Sequence, residues 1–149
     1  MSVVLDQPSD TTGLRVVLVD ARPERRQLMS HVVEGTVDGA EVVALADSKL
    51  SAIAGVEEQH ADAVVLEIQM PVEDGLDTIA SLRSRFPLLA IVVCSFHIDE
   101  KTKQRALAQG ADAYLGKPIT PRELNATLSR LRPLGSATPK TPPVPSPSP

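Results

Sequence analysis

Aromatic residues are nearly absent from this chain, which has two Phe, one Tyr and no Trp in 149 residues. Its core must therefore rest on Val, Leu, Ile and Ala. Cys94 is its one cysteine, so no internal disulfide can form, and the chain suits a reducing cytoplasm. No apolar run approaches the roughly 20 residues of a membrane-spanning helix. The opening Met-Ser-Val-Val-Leu-Asp is too short and too acidic for a secretory signal. Positive charge is not in excess either. A net charge of −4 removes the basic surface that binding to a nucleic-acid backbone requires. His31, His60 and His97 are scattered without metal-ligand spacing, so no metal site is expected from them. The expected setting is cytoplasmic, with neither nucleic acid nor membrane as partner.

What is present is enough for one domain. Hydrophobic residues make up 42% of the sequence, and the length allows a sizeable core. Residues 1–13 read as a flexible leader, and residues 14–132 as the folded unit. Residues 133–149, rich in Pro, Ser and Thr, carry too little apolar surface to offset the entropy of ordering. That tail is expected to be extended and polyproline-prone, a frayed end with no output domain after it.

Between the tails, strand-like and helix-like segments alternate. Val16 to Val19 form a continuous β-branched and leucine run, as in a strand covered on both faces. Pro23 opens a helix with Leu28, Met29, Val32 and Val33 at helical spacing, expected to stop at Gly35. Glu41 to Leu45 read as the second strand. Ser48 can cap a helix carrying Leu50, Ile53 and Ala54. Ala63 to Leu66 form the third strand, followed by a helix with Leu76, Ile79, Leu82 and Phe86, closed by Pro87. Leu88 to Cys94 read as the fourth strand, Asp99 to Gln109 as a mostly polar helix stopped at Gly110, and Ala113 to Leu115 as the fifth strand. The last helix opens on a capping box, Thr120 and Glu123, with Pro121 in its first turn and Leu124, Leu128 and Leu131 on one face. Five strands alternating with five helices predict an α/β fold, a doubly wound five-stranded parallel sheet with helices on both faces. Right-handed crossovers and a reversal of winding then place a crevice at the carboxyl ends of the central strands.

Four polar residues converge on that crevice, each following an apolar run: Asp20, Glu67, Ser95 and Lys117. Together with Leu18 to Asp20, the string Ile-Gln-Met-Pro-Val-Glu-Asp-Gly at 68–75, and Gly-Ala-Asp-Ala-Tyr-Leu-Gly-Lys-Pro at 110–118, they carry a specific likeness. The chain resembles the receiver domain of bacterial two-component response regulators, in its single-domain, chemotaxis-regulator-like form. The resemblance covers nearly all of Leu14 to Leu131. It implies a flavodoxin-like sheet in the order 2-1-3-4-5 and phosphoryl transfer from a histidine kinase to an acid at the end of the third strand. It further implies Mg²⁺ held by an acidic pair after the first strand, and a hydroxyl and a lysine that receive the phosphoryl oxygens. Ser95 and Tyr114 fall at its switch positions. Its usual contact surface, for a histidine kinase or a downstream effector, is the fourth helix, fifth strand and fifth helix.

Three positions depart from that pattern. Glu67 stands in place of the acceptor aspartate, and its extra methylene shifts the carboxylate by about 1.5 Å, a displacement that in-line chemistry tolerates poorly. Ala21 stands in place of the second acid of the pair. Asp20 and Glu67 are then the residual metal ligands, and no cofactor is expected to be held well. Phe96 replaces a small residue at the pocket mouth. The sequence therefore predicts a degenerate, non-enzymatic pocket of Asp20, Ala21, Glu67, Ser95, Phe96 and Lys117, in which Glu67 reaches toward Lys117 and Ser95. The function expected is signalling by protein–protein contact without phosphorylation. The alternatives are a receiver still phosphorylated by a histidine kinase and a small-molecule sensor using the same crevice. Around the pocket, Arg22, Arg25 and Arg26 read as a solvated helix face, Glu73 and Asp74 as loop and helix-start acids, and Cys94 as a core residue. A cis bond before Pro118 would aim Lys117 inward, although the default for any X-Pro bond is strongly trans.

Overall fold

Val16, Val17, Leu18 and Val19 are each no more than 2% exposed, as a strand buried on both faces requires. The computed structural model describes residues 13–36, 39–71 and 73–131. The expected leader, apart from Gly13, and the Pro-rich tail lie outside the described residues. The elements run β1 (Arg15–Val19), α1 (Pro23–Thr36), β2 (Glu41–Ala46), α2 (Lys49–Gln59), β3 (Ala63–Leu66), α3 (Gly75–Arg85), β4 (Ala90–Ser95), α4 (Glu100–Gln109), β5 (Ala113–Gly116) and α5 (Pro121–Leu131). All strand pairs are parallel, in the order β2-β1-β3-β4-β5. The winding reverses between β1 and β3, so both chain directions leave a gap above the carboxyl ends of these strands.

Alternation along each strand divides the core in two. Val17, Val19, Val64, Leu66, Ile91 and Val93 pack under α2, α3 and α4 through Ala52, Val56, Ile79, Leu82 and Ala106. Val16, Leu18, Val65, Val92 and Cys94 face the other way, onto Val33 of α1 and Leu124 and Leu128 of α5. The pairing of β1 with β2 slips by one residue between Val16 and Val17, so Val16 opposes Val42 while Val17 opposes Ala44.

Several boundaries differ from expectation. Strand β4 begins at Ala90, not Leu88, because Leu88 is 79% exposed on the loop after Pro87. It also runs one residue further, through Ser95. Helix α1 continues past Gly35 to Thr36, and nothing lies within 4 Å of a Cβ placed on Gly35. Ser48 caps α2 as expected, with Ser51 completing a reciprocal box. At α5, Thr120 Oγ1 accepts the Glu123 N–H at 3.0 Å, but the return bond from the Glu123 side chain is not found among the described residues.

One arginine ties the lower corner together. Arg83 donates to the carbonyl oxygens of Pro87 (2.9 Å), Leu89 (2.7 Å) and Gly110 (2.9 Å) and to Asp112 Oδ2 (2.7 Å). The same Asp112 oxygen accepts the Ile91 N–H at 2.8 Å, so α3, β4 and the α4–β5 turn share one hub. Gly110 at φ +125° is packed so closely that a Cβ there would lie 2.8 Å from Arg83 Cβ. Arg83→Ala is expected to lose about 2–3 kcal/mol in urea unfolding, since several carbonyls lose a charged donor at a partly exposed site. Arg83→Lys should recover less than half, because an ammonium lacks the planar fork.

Candidate functional site

The parallel register sets four side chains in a row. Val19 opposes Leu66, Leu66 opposes Val93, and Ser95 opposes Gly116, so Asp20, Glu67, Ser95 and Lys117 emerge side by side. The Lys117 N–H donates to the Ser95 carbonyl at 2.8 Å and fastens the last of them to its neighbour. Lys117–Pro118 is the one cis peptide bond among the described residues, contrary to the trans default.

Three of these residues repeat one local device. Asp20 Oδ1 accepts the Arg22 N–H at 2.9 Å, Glu67 Oε2 the Gln69 N–H at 2.9 Å, and Ser95 Oγ the His97 N–H at 3.1 Å. Each strand end thus turns its side chain onto the amide two residues ahead, a preference of Asp and Ser that Glu67 reaches with its longer arm. Sequence reasoning missed Gln69 and His97 as partners, although the i to i+2 relation was a usable signal for Asp20 and Ser95. The loop after Glu67 is closed by a bridge between Gln69 and Asp74.

The remaining carboxylate oxygens face the lysine. Lys117 Nζ lies 3.1 Å from Glu67 Oε1 and 3.8 Å from Asp20 Oδ2, and the Lys117 and Glu67 side chains are only 11% and 1% exposed. The contact between Glu67 and Ser95 expected from the sequence is not found among the described residues; the Ser95 hydroxyl accepts from the His97 N–H. Tyr114 donates its hydroxyl to the His97 carbonyl and so pins the same loop from β5. Burial is the main influence on the Tyr114 phenol, raising its pKa. Burial likewise pushes the Cys94 thiol up to about 12, keeping it a neutral core group.

Over this row lies Phe96, with its ring centroid 5.4 Å from Lys117 Nζ and 5.5 Å from Arg25 Cζ. The ring's negative face favours both cations. Arg25 is therefore not merely solvated, and neither is Arg26, whose Nη1 donates to the Asp20 carbonyl at 2.6 Å. Both departures from the expected helix face arise from tertiary contacts.

A hard divalent cation needs several oxygen ligands with lone pairs free. Ala21 supplies none, Asp20 Oδ1 and both Glu67 oxygens already accept hydrogen bonds, and an ammonium stands against both acids. No group of three or more His, Cys, Asp or Glu placed to hold a metal occurs among the described residues. Of the acid pair that a receiver-type Mg²⁺ would use, this chain has Asp20 alone, set with Glu67 against Lys117.

Beyond Phe96 opens a cleft of about 700 Å³, bordered by the β1–α1, β3–α3 and β4–α4 loops. No helix among the described residues is long and apolar enough to cross a membrane.

Comparison with known proteins agrees with this geometry. The family described as the response regulator receiver domain matches residues 16–129. Protein-glutamate methylesterase/protein-glutamine glutaminase 1 of Paramagnetospirillum magneticum is 32% identical over 145 residues, covering 91% of this chain and 38% of that protein. The chemotaxis protein CheY of Listeria monocytogenes is 30% identical over 106 residues, covering 71% of this chain and 87% of CheY. The solved structure of CheY4 from Vibrio cholerae superposes with a TM-score of 0.70 at 29% identity, covering 79% of this chain and 98% of that one. The chain spans about a third of the length of the larger curated relatives it matches. With the doubly wound sheet, the row of strand-end residues and the family match in agreement, the chain belongs to the response regulator receiver family of two-component signalling.

Proposed function

We propose that this receiver domain signals without phosphorylation, as a non-enzymatic cytoplasmic module that acts by protein–protein contact. One observation carries the reading: both Glu67 oxygens are already engaged, Oε1 with Lys117 at 3.1 Å and Oε2 with the Gln69 N–H at 2.9 Å. A nucleophile must present a free lone pair in line with the phosphorus, and a charged lysine must be free to meet the phosphoryl oxygens. Here each neutralises the other. Glutamate carries one charge and a planar head, against roughly −1.5 to −2 and three acceptor oxygens for a phosphoryl group, so the pair is a fixed arrangement, not a copy of the phosphorylated state. The partner, a histidine kinase or a downstream effector, would dock on α4, β5 and α5, where Leu107 of α4 is exposed, as is Ile98 on the loop just before it.

Intact-mass measurement with Mg²⁺ and acetyl phosphate tests this directly. The natural chain should remain unmodified, and the double variant Ala21→Asp/Glu67→Asp should gain a phosphoryl group by restoring both the acid pair and the acceptor length. A phosphoryl adduct on the natural chain overturns the proposal.

A further inference from the structure

The cleft outside Phe96 carries two arginines, Arg22 and Arg25, on one wall and two acids, Glu73 and Asp74, on the other. Arg22 and Arg25 line it from the first turn of α1, where the Arg25 N–H donates to the Arg22 carbonyl, a spacing that sets both on one side of the helix start. Neither guanidinium has a carboxylate partner or a hydrogen-bond acceptor among the described residues. His97 faces them from the β4–α4 loop. Each acid of the opposite wall holds a backbone N–H at a helix start. Glu73 Oε1 accepts the Lys49 N–H at 2.7 Å at the start of α2, and Asp74 Oδ1 accepts the Leu76 N–H at 2.9 Å as the cap of α3. Each lies at the positive end of a helix dipole, which offsets its charge locally.

The backbone that carries Arg22 and His97 is also held in place. Arg25 Cζ lies 5.5 Å from the Phe96 ring centroid, and its guanidinium N–H groups donate to no acceptor among the described residues, which leaves them for a carboxylate or phosphate. The Arg22 backbone is fixed by Asp20, and the His97 backbone by Ser95 and Tyr114. Apolar side chains, Ile68, Met70 and Leu76, border the cleft beside them. Its volume lies in the range of small-molecule sites, and its lining is more polar than apolar.

From this arrangement we infer that the cleft binds a small organic anion, a phosphate ester or carboxylate with an apolar body, held by Arg22 and Arg25. Binding is reversible and lies outside the Glu67–Lys117 pair, so it does not depend on whether Glu67 accepts phosphate.

The test is titration of the isotope-labelled full chain, followed by amide NMR, with phenyl phosphate, benzoate, inorganic phosphate and phenol as probes. Saturable shifts are expected at Arg22, Arg25, Gln69, Met70 and His97. Phenyl phosphate or benzoate should bind at least about tenfold tighter than inorganic phosphate, which lacks the apolar body, and than phenol, which lacks the charge. The stronger of the two anionic probes identifies the head group. The variant Arg22→Gln/Arg25→Gln should lose about tenfold or more, while Arg85→Gln, on the far end of α3, should bind as the natural chain does. Well-dispersed spectra report that the variants are folded. Shifts that never saturate, that centre elsewhere, or that persist in the double variant overturn the inference.

Discussion

Lys117→Ala is expected to lower the unfolding free energy by about 3–5 kcal/mol, the usual cost of removing one partner from a buried ion pair. Among the described residues Glu67 has one cation within reach, and its side chain is 1% exposed, so the substitution leaves a buried carboxylate with the Gln69 N–H as its remaining donor among them. The reverse change is milder. In Glu67→Gln the ammonium keeps Asp20 at 3.8 Å, and the amide keeps an oxygen for Gln69, so a loss of about 1–2 kcal/mol is expected. The double variant Glu67→Leu/Lys117→Met, which removes both charges at similar volume, should recover most of the stability. The chain has no Trp, so urea unfolding is best followed by circular dichroism. Equal losses for Lys117→Ala and Glu67→Gln would show that the lysine does not hold the glutamate in solution.

The second large effect comes from a residue with no side chain. A Cβ on Gly75 would lie 2.4 Å from the Ile68 Cα and carbonyl oxygen and 2.8 Å from its carbonyl carbon. All three are backbone atoms and cannot turn aside as a side chain does. Gly75→Ala is therefore expected to destabilise by about 3 kcal/mol, at the upper end of overpacking costs, by levering α3 away from the loop after β3. That loop carries the Gln69 N–H that holds Glu67, so its amide resonance should shift as well. Gly35→Ala is the matched control. It lies in helix α1 with open space around it, and should stabilise by roughly 0.5–1 kcal/mol.

The element order and the sheet order could be read from the sequence because buried parallel strands are continuous apolar runs, and their crossovers have one hand. Strand-end placement of Asp20, Glu67, Ser95 and Lys117 follows from the same logic. Boundaries were less legible where an apolar run overshoots its strand, as at Leu88, or where a helix tolerates glycine, as at Gly35. Least legible were contacts made across the fold. Arg25, Arg26 and Arg83 resemble ordinary surface cations in sequence, yet one stacks on Phe96, one bonds the Asp20 carbonyl and one gathers the corner beneath β4. The partner of Ser95 was misread for a simpler reason. The Ser95 hydroxyl accepts the amide two residues ahead, and both Glu67 oxygens are taken up by Lys117 and Gln69.

The slipped register between β1 and β2 has a bearing on how copies of the chain meet. Strand β2 is one of the two outer strands, and the extra residue between Val42 and Ala44 throws its free edge out of step. A second copy laid along that edge would find amides and carbonyls misaligned partway through, with the charged, exposed Glu41 at its start. Bulges and edge charges are the usual defence against strand-to-strand fibre growth. The irregularity thus guards a Val- and Ala-rich sheet against stacking end on end when the chain is concentrated.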